Sequence, residues 1–287
     1  MPEWQSSPAA ENRKKPVQSL PAAENRKKPV QSFPAAENRK KPVQNVAHRG
    51  YSAVAPENTL PALAAAGPAG ATLVEFDVRT AADGVPVVIH DRTVDRTTNG
   101  TGAVWELTVD EVRALDAGSW FSPAFAGVRV PLLAEVLDLL AGSRLLLEIK
   151  PPATLEQVKV ILAAVADRGL LGRTVVQSFD PEILRLVRDA APDLPRGLLR
   201  LRFEPDTVAL ARELDVTFCN PSVADVLGDP VTVAALIDAG VAVMPWTAND
   251  MHRWPELVRA RVAGLISDRT GELTGWLEAT AAPLYPE

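Results

Sequence analysis

Short apolar runs and longer amphipathic stretches alternate along the chain from about residue 44 onward. Runs of this length, rich in β-branched residues and bounded by polar segments, are typical of buried strands. The predicted strands cover residues 44–49, 72–78, 86–90, 144–150, 174–179, 196–201, 215–220, 241–246 and 262–267. Two intervening stretches carry clear helix boundaries. One opens on Thr154 and stops at Gly169, and the other opens on Asp180 followed by Pro181.

Strands that alternate with helices in this way predict βαβ units and a parallel sheet. About eight such units in roughly 240 residues is the size of a (β/α)8 TIM barrel, which is the predicted fold. An open, doubly wound α/β sheet is the alternative, because it is built from the same units. No G-x-G-x-x-G segment follows the first predicted strand, which weakens a dinucleotide-binding version of that sheet.

The start of the chain follows a different pattern, because a segment with a period of 13 residues recurs at 8–20, 21–33 and 34–45. Each copy contains two prolines and lacks the spacing that would bury an apolar face. We therefore predict a basic and mostly disordered leader over residues 1–43, followed by the barrel domain over 44–287. The repeat is interpreted either as a duplicated leader or as a basic arm that touches anionic surfaces.

Charge and composition narrow the class of protein. The formal net charge of -6 hides an asymmetry, since residues 1–44 carry nine basic and four acidic residues and the remainder carries 21 basic and 32 acidic residues. An acidic globular part argues against nucleic acid as the main ligand.

We expect no transmembrane helix and no signal peptide, because the required apolar segments are lacking. The single cysteine, Cys219, is expected to be a buried, unreactive thiol and fits a cytoplasmic protein.

Charged side chains interrupt two of the apolar strands. In an extended strand Glu75 and Asp77 lie on one face and their apolar neighbours on the other, and the same alternation applies to Glu148. At the mouth of a barrel these three carboxylates would converge and repel one another when ionised. A divalent cation removes that conflict, and oxygen ligands suit Mg²⁺ or Ca²⁺ better than zinc. The alternative needs no metal and pairs the carboxylates with Arg49 and Lys150.

Two of the three histidines end apolar runs, His48 in NVAHRG and His90 in VVIHD. Two imidazoles beside a group of carboxylates suit general acid and base catalysis near neutral pH. The third histidine, His252, is expected to be an ordinary surface residue. Arg49 and Lys150 also follow apolar runs, where they would supply positive charge for a phosphate.

Several motifs occur in order along the predicted barrel. They are AHRG at 47–50, PENT at 56–59, EFDVRTAADGVPVVIHD at 75–91, DRTTNGTG at 95–102, LDAGSWFSPAFAGVRVPLLAEVL at 115–137, LLLEIK at 145–150, QSFD at 177–180, PWTAND at 245–250 and ISDRT at 266–270. Together these motifs resemble those of the glycerophosphodiester phosphodiesterase family. One such motif would be a weak signal, but the ordered set over about 220 residues is specific.

The resemblance implies a TIM barrel with a small insertion after the second βα segment, here about residues 91–131. It also implies metal-dependent hydrolysis of glycerophosphodiesters to glycerol 3-phosphate and an alcohol. The implied site residues are the acid–base pair His48 and His90, the metal ligands Glu75, Asp77 and Glu148, and the substrate-binding residues Arg49, Glu57 and Lys150. Trp246 in PWTAND would add an apolar wall for the glycerol carbons. The alternative is that Trp246 packs in the hydrophobic core.

Two other functions fit parts of the same sequence. A lysophospholipase D-type diesterase on this barrel would need an apolar groove for an acyl chain, for which Trp120, Phe121 and Phe125 are candidates. The second alternative is a catalytically inactive barrel that only binds glycerophosphate groups. The intact pair His48 and His90 argues against this second alternative. The expected partner is a small molecule. The sequence leaves open the head group, Mg²⁺ against Ca²⁺, which histidine is the acid, the attacking oxygen and the oligomeric state.

Overall fold

The structure, a computed structural model, describes residues 42–280 of the chain. The predicted leader over 1–43 lies outside these residues except for its last two positions, so its disorder stays a prediction. The described residues form a ring of parallel strands wrapped by helices, which confirms the predicted (β/α)8 TIM barrel. Within them, none of the helices combines the length and the hydropathy needed to cross a bilayer.

The described part of the chain contains nine strands, and each overlaps one of the predicted runs. Their bounds are β1 (Gln44–Ala47), β2 (Leu73–Thr80), β3 (Pro86–Val88), β4 (Leu145–Ile149), β5 (Thr174–Ser178), β6 (Arg196–Arg200), β7 (Phe218–Pro221), β8 (Ala242–Val243) and β9 (Gly264–Ser267). Eight are parallel in the order β8-β7-β6-β5-β4-β2-β1-β9, and β3 pairs antiparallel with β2. Backbone hydrogen bonds from Ala263 to Val243 and from Ile266 to Pro245 close the ring between its last two strands.

Ten α-helices lie within residues 42–280. Their bounds are α1 (Leu60–Ala66), α2 (Val109–Ala114), α3 (Leu133–Leu139), α4 (Leu155–Asp167), α5 (Pro181–Ala190), α6 (Thr207–Glu213), α7 (Val223–Gly228), α8 (Pro230–Asp238), α9 (Trp254–Arg259) and α10 (Thr270–Thr280). The predicted starts of α4 and α5 are confirmed, because Thr154 and Asp180 each accept a backbone hydrogen bond from the first turn. Gly169, with φ of 69°, follows α4 in the left-handed conformation that often ends a helix.

Two strands differ from the prediction for local reasons. The strand predicted over 86–90 ends at Val88 and does not join the ring, because the turn after β2 is too short for the helical crossover that parallel strands need. The strand predicted over 241–246 keeps only two residues in β8, since Pro245 has no N–H to donate to a ladder.

The alternation of side chains along the strands decides where the core lies. Val74, Phe76 and Val78 of β2 pack outward in a cluster that includes α3, α4 and α5. The inner cluster contains side chains from seven of the barrel strands, namely Val46, Leu73, Leu146, Val175, Phe218, Ala242, Met244 and Ile266. The predicted division into inward and outward faces is therefore confirmed for β2. Cys219 is buried among the outward residues, and burial raises the pKa of its thiol to about 12.

The predicted insertion, residues 91–131, contains α2 and two 3₁₀ turns at Val104–Glu106 and Pro123–Phe125. Its apolar side chains pack with β3 in a small cluster that consists of Val87, Ile89, Val94, Val104, Val112, Ala117 and Val130. This satellite core is separate from the barrel clusters. The inserted segment therefore has a hydrophobic core of its own, next to β3 and outside the ring of parallel strands.

Candidate active site

Side chains from several strands meet at the carboxyl-terminal mouth of the barrel, where the loops after each strand also lie. Glu75 and Asp77 of β2 and Glu148 of β4 face inward, because they lie two or four residues beyond an inward leucine. His48 follows β1, and Lys150 follows β4. The strand pattern that the sequence predicted thus brings the charged residues to one opening.

The three predicted metal ligands form one buried group. Ligand oxygens of Glu75, Asp77 and Glu148 lie within 4.8 Å of one another, and the residues are 1%, 1% and 4% exposed. The ammonium nitrogen of Lys150 lies 3.0 Å from Asp77 Oδ1 and 2.6 Å from Glu148 Oε1. The geometry combines both alternatives from the sequence, because the carboxylates cluster as metal ligands do and Lys150 pairs with two of them.

The charges in this carboxylate group are not balanced. Burial, and then the charges of Asp77 and Glu148, raise the pKa of Glu75 well above its ordinary value. Burial and the charge of Asp77 raise the pKa of Glu148 to about 8. Burial would also raise the pKa of Asp77, but Lys150 and Arg49 outweigh it and the pKa lies below its ordinary value. Two of the three carboxyl groups therefore resist ionisation. A divalent cation would stabilise their ionised forms, and Mg²⁺ and Ca²⁺, which prefer oxygen ligands, fit this donor set.

A tight turn after β1 fixes the position of Arg49. Arg49 has a φ of 56° and Gly50 a φ of 81°, and a Cβ at position 50 would lie 2.5 Å from the backbone of α1. Only glycine fits there without displacing the helix. The turn directs the Arg49 N–H to Glu75 Oε2 over 2.8 Å. The guanidinium Nη1 lies 2.7 Å from Glu57 Oε1, and Nε lies 3.5 Å from Asp77 Oδ2.

Asn58 is a site residue that the sequence did not single out. Its Nδ2 donates a hydrogen bond to Asp77 Oδ2 over 2.7 Å, and its Oδ1 accepts one from the Asp77 N–H over 3.1 Å. The side chain is buried and its backbone φ is 58°, a conformation that asparagine tolerates better than most residues. This two-point contact fixes the orientation of Asp77. The position of Asn58 in the PENT motif is the sequence feature that could have identified it as a site residue.

A carboxylate beyond β9 orients His48. The Nδ1 atom of His48 lies 2.7 Å from Asp268 Oδ1. Asp268 also accepts hydrogen bonds from Ser52 Oγ over 2.9 Å and from Asn249 Nδ2 over 2.6 Å. Burial would raise the pKa of Asp268, but its bonds to His48, Asn249 and Ser52 lower it to about 2. An ionised carboxylate only accepts hydrogen bonds, so Nδ1 of His48 carries the proton and Nε2 is left for the cavity.

His90 has a carboxylate partner of a different kind. Its Nδ1 lies 2.6 Å from Asp91 Oδ1. Arg96, from the inserted segment, donates from Nε and Nη2 to the two oxygens of Asp91 over 2.6 and 3.0 Å. The same guanidinium donates to both oxygens of Glu57 over 2.9 and 2.8 Å. Burial is the main reason that the pKa of His90 lies below its ordinary value, and the bond from Arg96 lowers the pKa of Asp91.

A cavity of about 380 Å³ occupies the mouth, and its lining is divided by chemistry. One side is charged and consists of His48, Arg49, Glu75, His90, Glu148 and Lys150. The other side is mostly apolar and contains Phe179, Leu199, Leu201 and Trp246, and Gln177 and Ile266 complete the lining. Trp246, the predicted apolar wall, thus lines the cavity. Its indole N–H donates to the Asn220 carbonyl over 2.8 Å, and its ring meets Phe179 edge to face at 5.4 Å.

Some residues that the sequence suggested lie outside this lining, as far as the described residues show. Glu57 instead binds two arginines with its carboxylate. The aromatic residues considered for an acyl groove contact one another in the inserted segment, Trp120 with Phe121 at 5.7 Å and Phe121 with Phe125 at 5.6 Å. His252 is exposed, as predicted. The apolar part of the cavity therefore comes from the barrel strands and not from the insertion.

Comparisons with known proteins agree with this geometry. A sequence profile of the glycerophosphoryl diester phosphodiesterase family matches residues 48–272. A glycerophosphodiester phosphodiesterase from Caldanaerobacter subterraneus subsp. tengcongensis is 36% identical over 227 residues, which is 78% of this chain and 93% of the relative. The crystal structure of a glycerophosphodiester phosphodiesterase from Agrobacterium tumefaciens is 31% identical with a TM-score of 0.71, and the match covers 81% of this chain and 99% of that one. A phosphodiesterase from Oleispira antarctica, solved in complex with the product sn-glycerol-3-phosphate, is 28% identical with a TM-score of 0.75 and coverage of 83% and 97%.

Proposed function

Since the chain belongs to the glycerophosphoryl diester phosphodiesterase family and is a phosphoric diester hydrolase, we propose that it hydrolyses glycerophosphodiesters such as glycerophosphocholine or glycerophosphoethanolamine to glycerol 3-phosphate and an alcohol. One observation carries the proposal. Two histidines, each bound through Nδ1 to a carboxylate, line one cavity with Glu75 and Glu148 of the buried carboxylate group. Cleavage of a phosphodiester needs one group that removes a proton and one that supplies a proton, and two such imidazoles meet that need.

In this mechanism His48 and His90 act as the acid–base pair through their Nε2 atoms. One imidazole removes the proton from the attacking oxygen, which is either water or the neighbouring 2-hydroxyl of the glycerol. The other imidazole protonates the oxygen of the leaving alcohol as its bond to phosphorus breaks. The carboxylates Asp268 and Asp91 keep the proton of each neutral ring on Nδ1 and stabilise the imidazolium that forms.

Arg49 and Lys150 are proposed to bind the phosphate. An ammonium group has three donors, and the contacts of Lys150 with Asp77 and Glu148 leave one donor for a phosphate oxygen in the cavity. Both cations are held by carboxylates before substrate binds, so they need little rearrangement to stabilise the charge that grows on phosphorus oxygens. Trp246 is proposed to pack against the glycerol carbons.

The group of Glu75, Asp77 and Glu148 is proposed to hold the divalent cation, Mg²⁺ or Ca²⁺. A bound cation supplies Lewis acidity to the phosphoryl group. The raised pKa values of Glu75 and Glu148 support a cation in addition to Lys150, because a single ammonium group leaves these two carboxyls short of positive charge. The donor set contains only oxygen, which favours these two ions over zinc.

The test measures hydrolysis of glycerophosphocholine by the purified protein before and after exhaustive chelation. We expect chelation to abolish turnover and Mg²⁺ or Ca²⁺ to restore it. The melting temperature should also rise with the ion in the wild type and rise less in Glu148→Gln, because that variant loses a ligand. Full turnover after chelation would contradict the metal proposal. No turnover of any glycerophosphodiester with either ion would contradict the proposed function.

We propose that the physiological partner is a small-molecule glycerophosphodiester and that nucleic acid is not a ligand. The charged side of the cavity accounts for a phosphate, and the acidic balance of the chain outside residues 1–44 disfavours nucleic acid. A cytoplasmic location is proposed on the ground that the chain has one cysteine, Cys219, and that this thiol is buried.

A further inference from the structure

Two buried amide side chains meet inside the barrel although their strands are not neighbours. Gln177 lies on β5 and Asn220 on β7, and β6 runs between these strands. Gly197 of β6 pairs with Gln177, and a Cβ at position 197 would lie 3.2 Å from both Gln177 Cβ and Asn220 Nδ2. Because Gly197 has no side chain, Asn220 Nδ2 reaches across β6 and donates a hydrogen bond to Gln177 Oε1 over 2.7 Å.

Gln177 continues this hydrogen-bond chain to the carboxylate group. Its Nε2 donates to Glu75 Oε1 over 3.4 Å. If both amides were turned over, Gln177 Oε1 would face Glu75 Oε1, and an amide oxygen cannot donate to a carboxylate. The direction from Asn220 through Gln177 to Glu75 is therefore the one that offers a donor to the carboxylate.

Glu75 is held differently from the other two carboxylates of its group. Asp77 and Glu148 lie 3.0 and 2.6 Å from the ammonium nitrogen of Lys150. The hydrogen bonds of Glu75 come instead from neutral groups, the backbone N–H of Arg49 to Oε2 and the amide of Gln177 to Oε1. Neutral donors fix the orientation of a carboxylate without supplying the positive charge that a cation would supply.

The burial of Asn220 needs a reason beyond packing. The residue is 0% exposed, and its Oδ1 has no hydrogen-bond partner among residues 42–280. An amide oxygen that is buried without a partner costs free energy, so an apolar side chain would suit the core better. The contact that accounts for an asparagine here is the hydrogen bond from its Nδ2 to Gln177.

We propose that Gln177 and Asn220, here called the amide pair, are positioning residues that hold Glu75 as a ligand of the divalent cation. Gln177 orients Oε1 of Glu75, and Asn220 keeps the amide nitrogen of Gln177 directed at that oxygen. The inference rests on the proposed function, since it requires the cation at the carboxylate group. Groups that hydrogen-bond to a metal ligand contribute about 10- to 100-fold to the affinity for the metal.

The experiment measures the dissociation constants of Mg²⁺ and of Ca²⁺ by calorimetry, on the purified full chain without substrate. Gln177→Met removes the donor to Glu75 and keeps the length of the side chain, and it should raise Kd by about tenfold. Asn220→Ala leaves that donor in place but no longer directs it, and it should raise Kd by about threefold. The melting temperature without the ion shows that each variant is folded.

The double variant separates positioning from an effect on the fold alone. Because Asn220 acts only through Gln177, the variant with both substitutions should have the same Kd as Gln177→Met. Thr174→Val is the matched control on the same strand. Thr174 is also 0% exposed, and its hydroxyl donates to the Leu170 carbonyl over 3.0 Å at the start of β5, away from the mouth. This control should lower the melting temperature and leave Kd unchanged.

Each outcome decides a separate claim. If neither Gln177→Met nor Asn220→Ala raises Kd, or if their effects multiply in the double variant, the amide pair does not position Glu75, while ion binding and hydrolysis by the wild type still support the proposed function. A rise in Kd for Thr174→Val as large as that for Gln177→Met would also overturn the inference. A wild type that binds neither ion would overturn the metal proposal, and the inference with it.

Discussion

The two histidine–carboxylate pairs have nearly the same geometry, yet different parts of the molecule hold them. His48 pairs with Asp268 at 2.7 Å, and this contact joins the end of the first barrel strand to the end of the last. His90 pairs with Asp91 at 2.6 Å, beyond a short strand outside the ring, and Arg96 of the inserted segment holds that carboxylate. The pairing of β1 with β9 therefore orients one imidazole, and the insertion orients the other.

The pairs also differ in charge. Asp268 takes its other hydrogen bonds from two neutral donors, Ser52 and Asn249, so its negative charge is directed at His48. The charge of Asp91 is shared between His90 and a guanidinium. That guanidinium is 46% exposed, and exposed ion pairs contribute little stability. The comparison teaches that the His48 pair is part of the rigid scaffold, whereas the His90 pair depends on a contact that is easier to alter.

The largest expected effect comes from removal of either imidazole. His48→Ala and His90→Ala should each lower kcat for glycerophosphocholine by about 10²-fold or more, the usual range for a general acid or base. His252→Ala is the matched control, because this histidine is exposed and lies outside the cavity lining in the described residues. Steady-state kinetics checks all three variants, and comparable rates among them would remove the acid–base assignment.

A smaller effect is expected from the two carboxylates, and it should separate the pairs. Asp268→Asn should lower kcat by about 10²-fold, because an amide can donate to Nδ1 and reverse the tautomer of His48. Asp91→Asn should lower kcat by about tenfold, since Arg96 still binds Glu57 and keeps the loop in place.

For both carboxylate variants KM should change less than kcat, because the carboxylates orient the imidazoles and do not contact the diester. Asp138→Asn is the control, since Asp138 binds Arg168 on the outer helices at 2.6 Å and is 67% exposed. If Asp91→Asn proved as damaging as Asp268→Asn, the proposed difference between scaffold and insertion would be wrong.

Much of the carboxylate group could be predicted from the sequence because strand periodicity is local. Leu73, Glu75 and Asp77 alternate with apolar residues, and that spacing alone decides which side chains face inward. Glu148 and Lys150 follow the same rule on β4. The parallel order of the strands then brings their carboxyl ends together, so the buried group follows from two short stretches of sequence.

The partners of the histidines could not be predicted in this way. His48 and Asp268 are 220 residues apart, and they meet only because β1 pairs with β9, the last strand of the chain. Arg96 contacts Glu57 across 39 residues from a segment without strand or helix periodicity. Asn58 lies in a turn, where no repeat marks a buried side chain. Contacts that depend on closure or on irregular loops leave no periodic signal in the chain.

The smallest expected effect is a shift in pH dependence when Arg96 is removed. Burial lowers the pKa of His90, and the hydrogen bond from Asp91 raises it. Arg96→Gln removes the guanidinium that shares the charge of Asp91, so Asp91 should favour the protonated imidazole more strongly and the pKa of His90 should rise toward its ordinary value. The limb of the kcat/KM profile that belongs to His90 should therefore move to higher pH, whichever role the residue has. The acidic limb moves if His90 is the base, and the alkaline limb moves if it is the acid.

The limb that belongs to His48 should stay in place, because Asp268 has no hydrogen bond to Arg96. At the optimum the rate should fall by about tenfold at most, since the imidazoles themselves remain. Arg113→Gln is the matched control, because Arg113 binds Glu135 with two hydrogen bonds, from α2 of the same inserted segment. The measurement is kcat/KM against pH for the enzyme saturated with the divalent ion. Equal movement of both limbs would show that the two pairs are coupled, and a profile without movement would show that Arg96 does not act on His90.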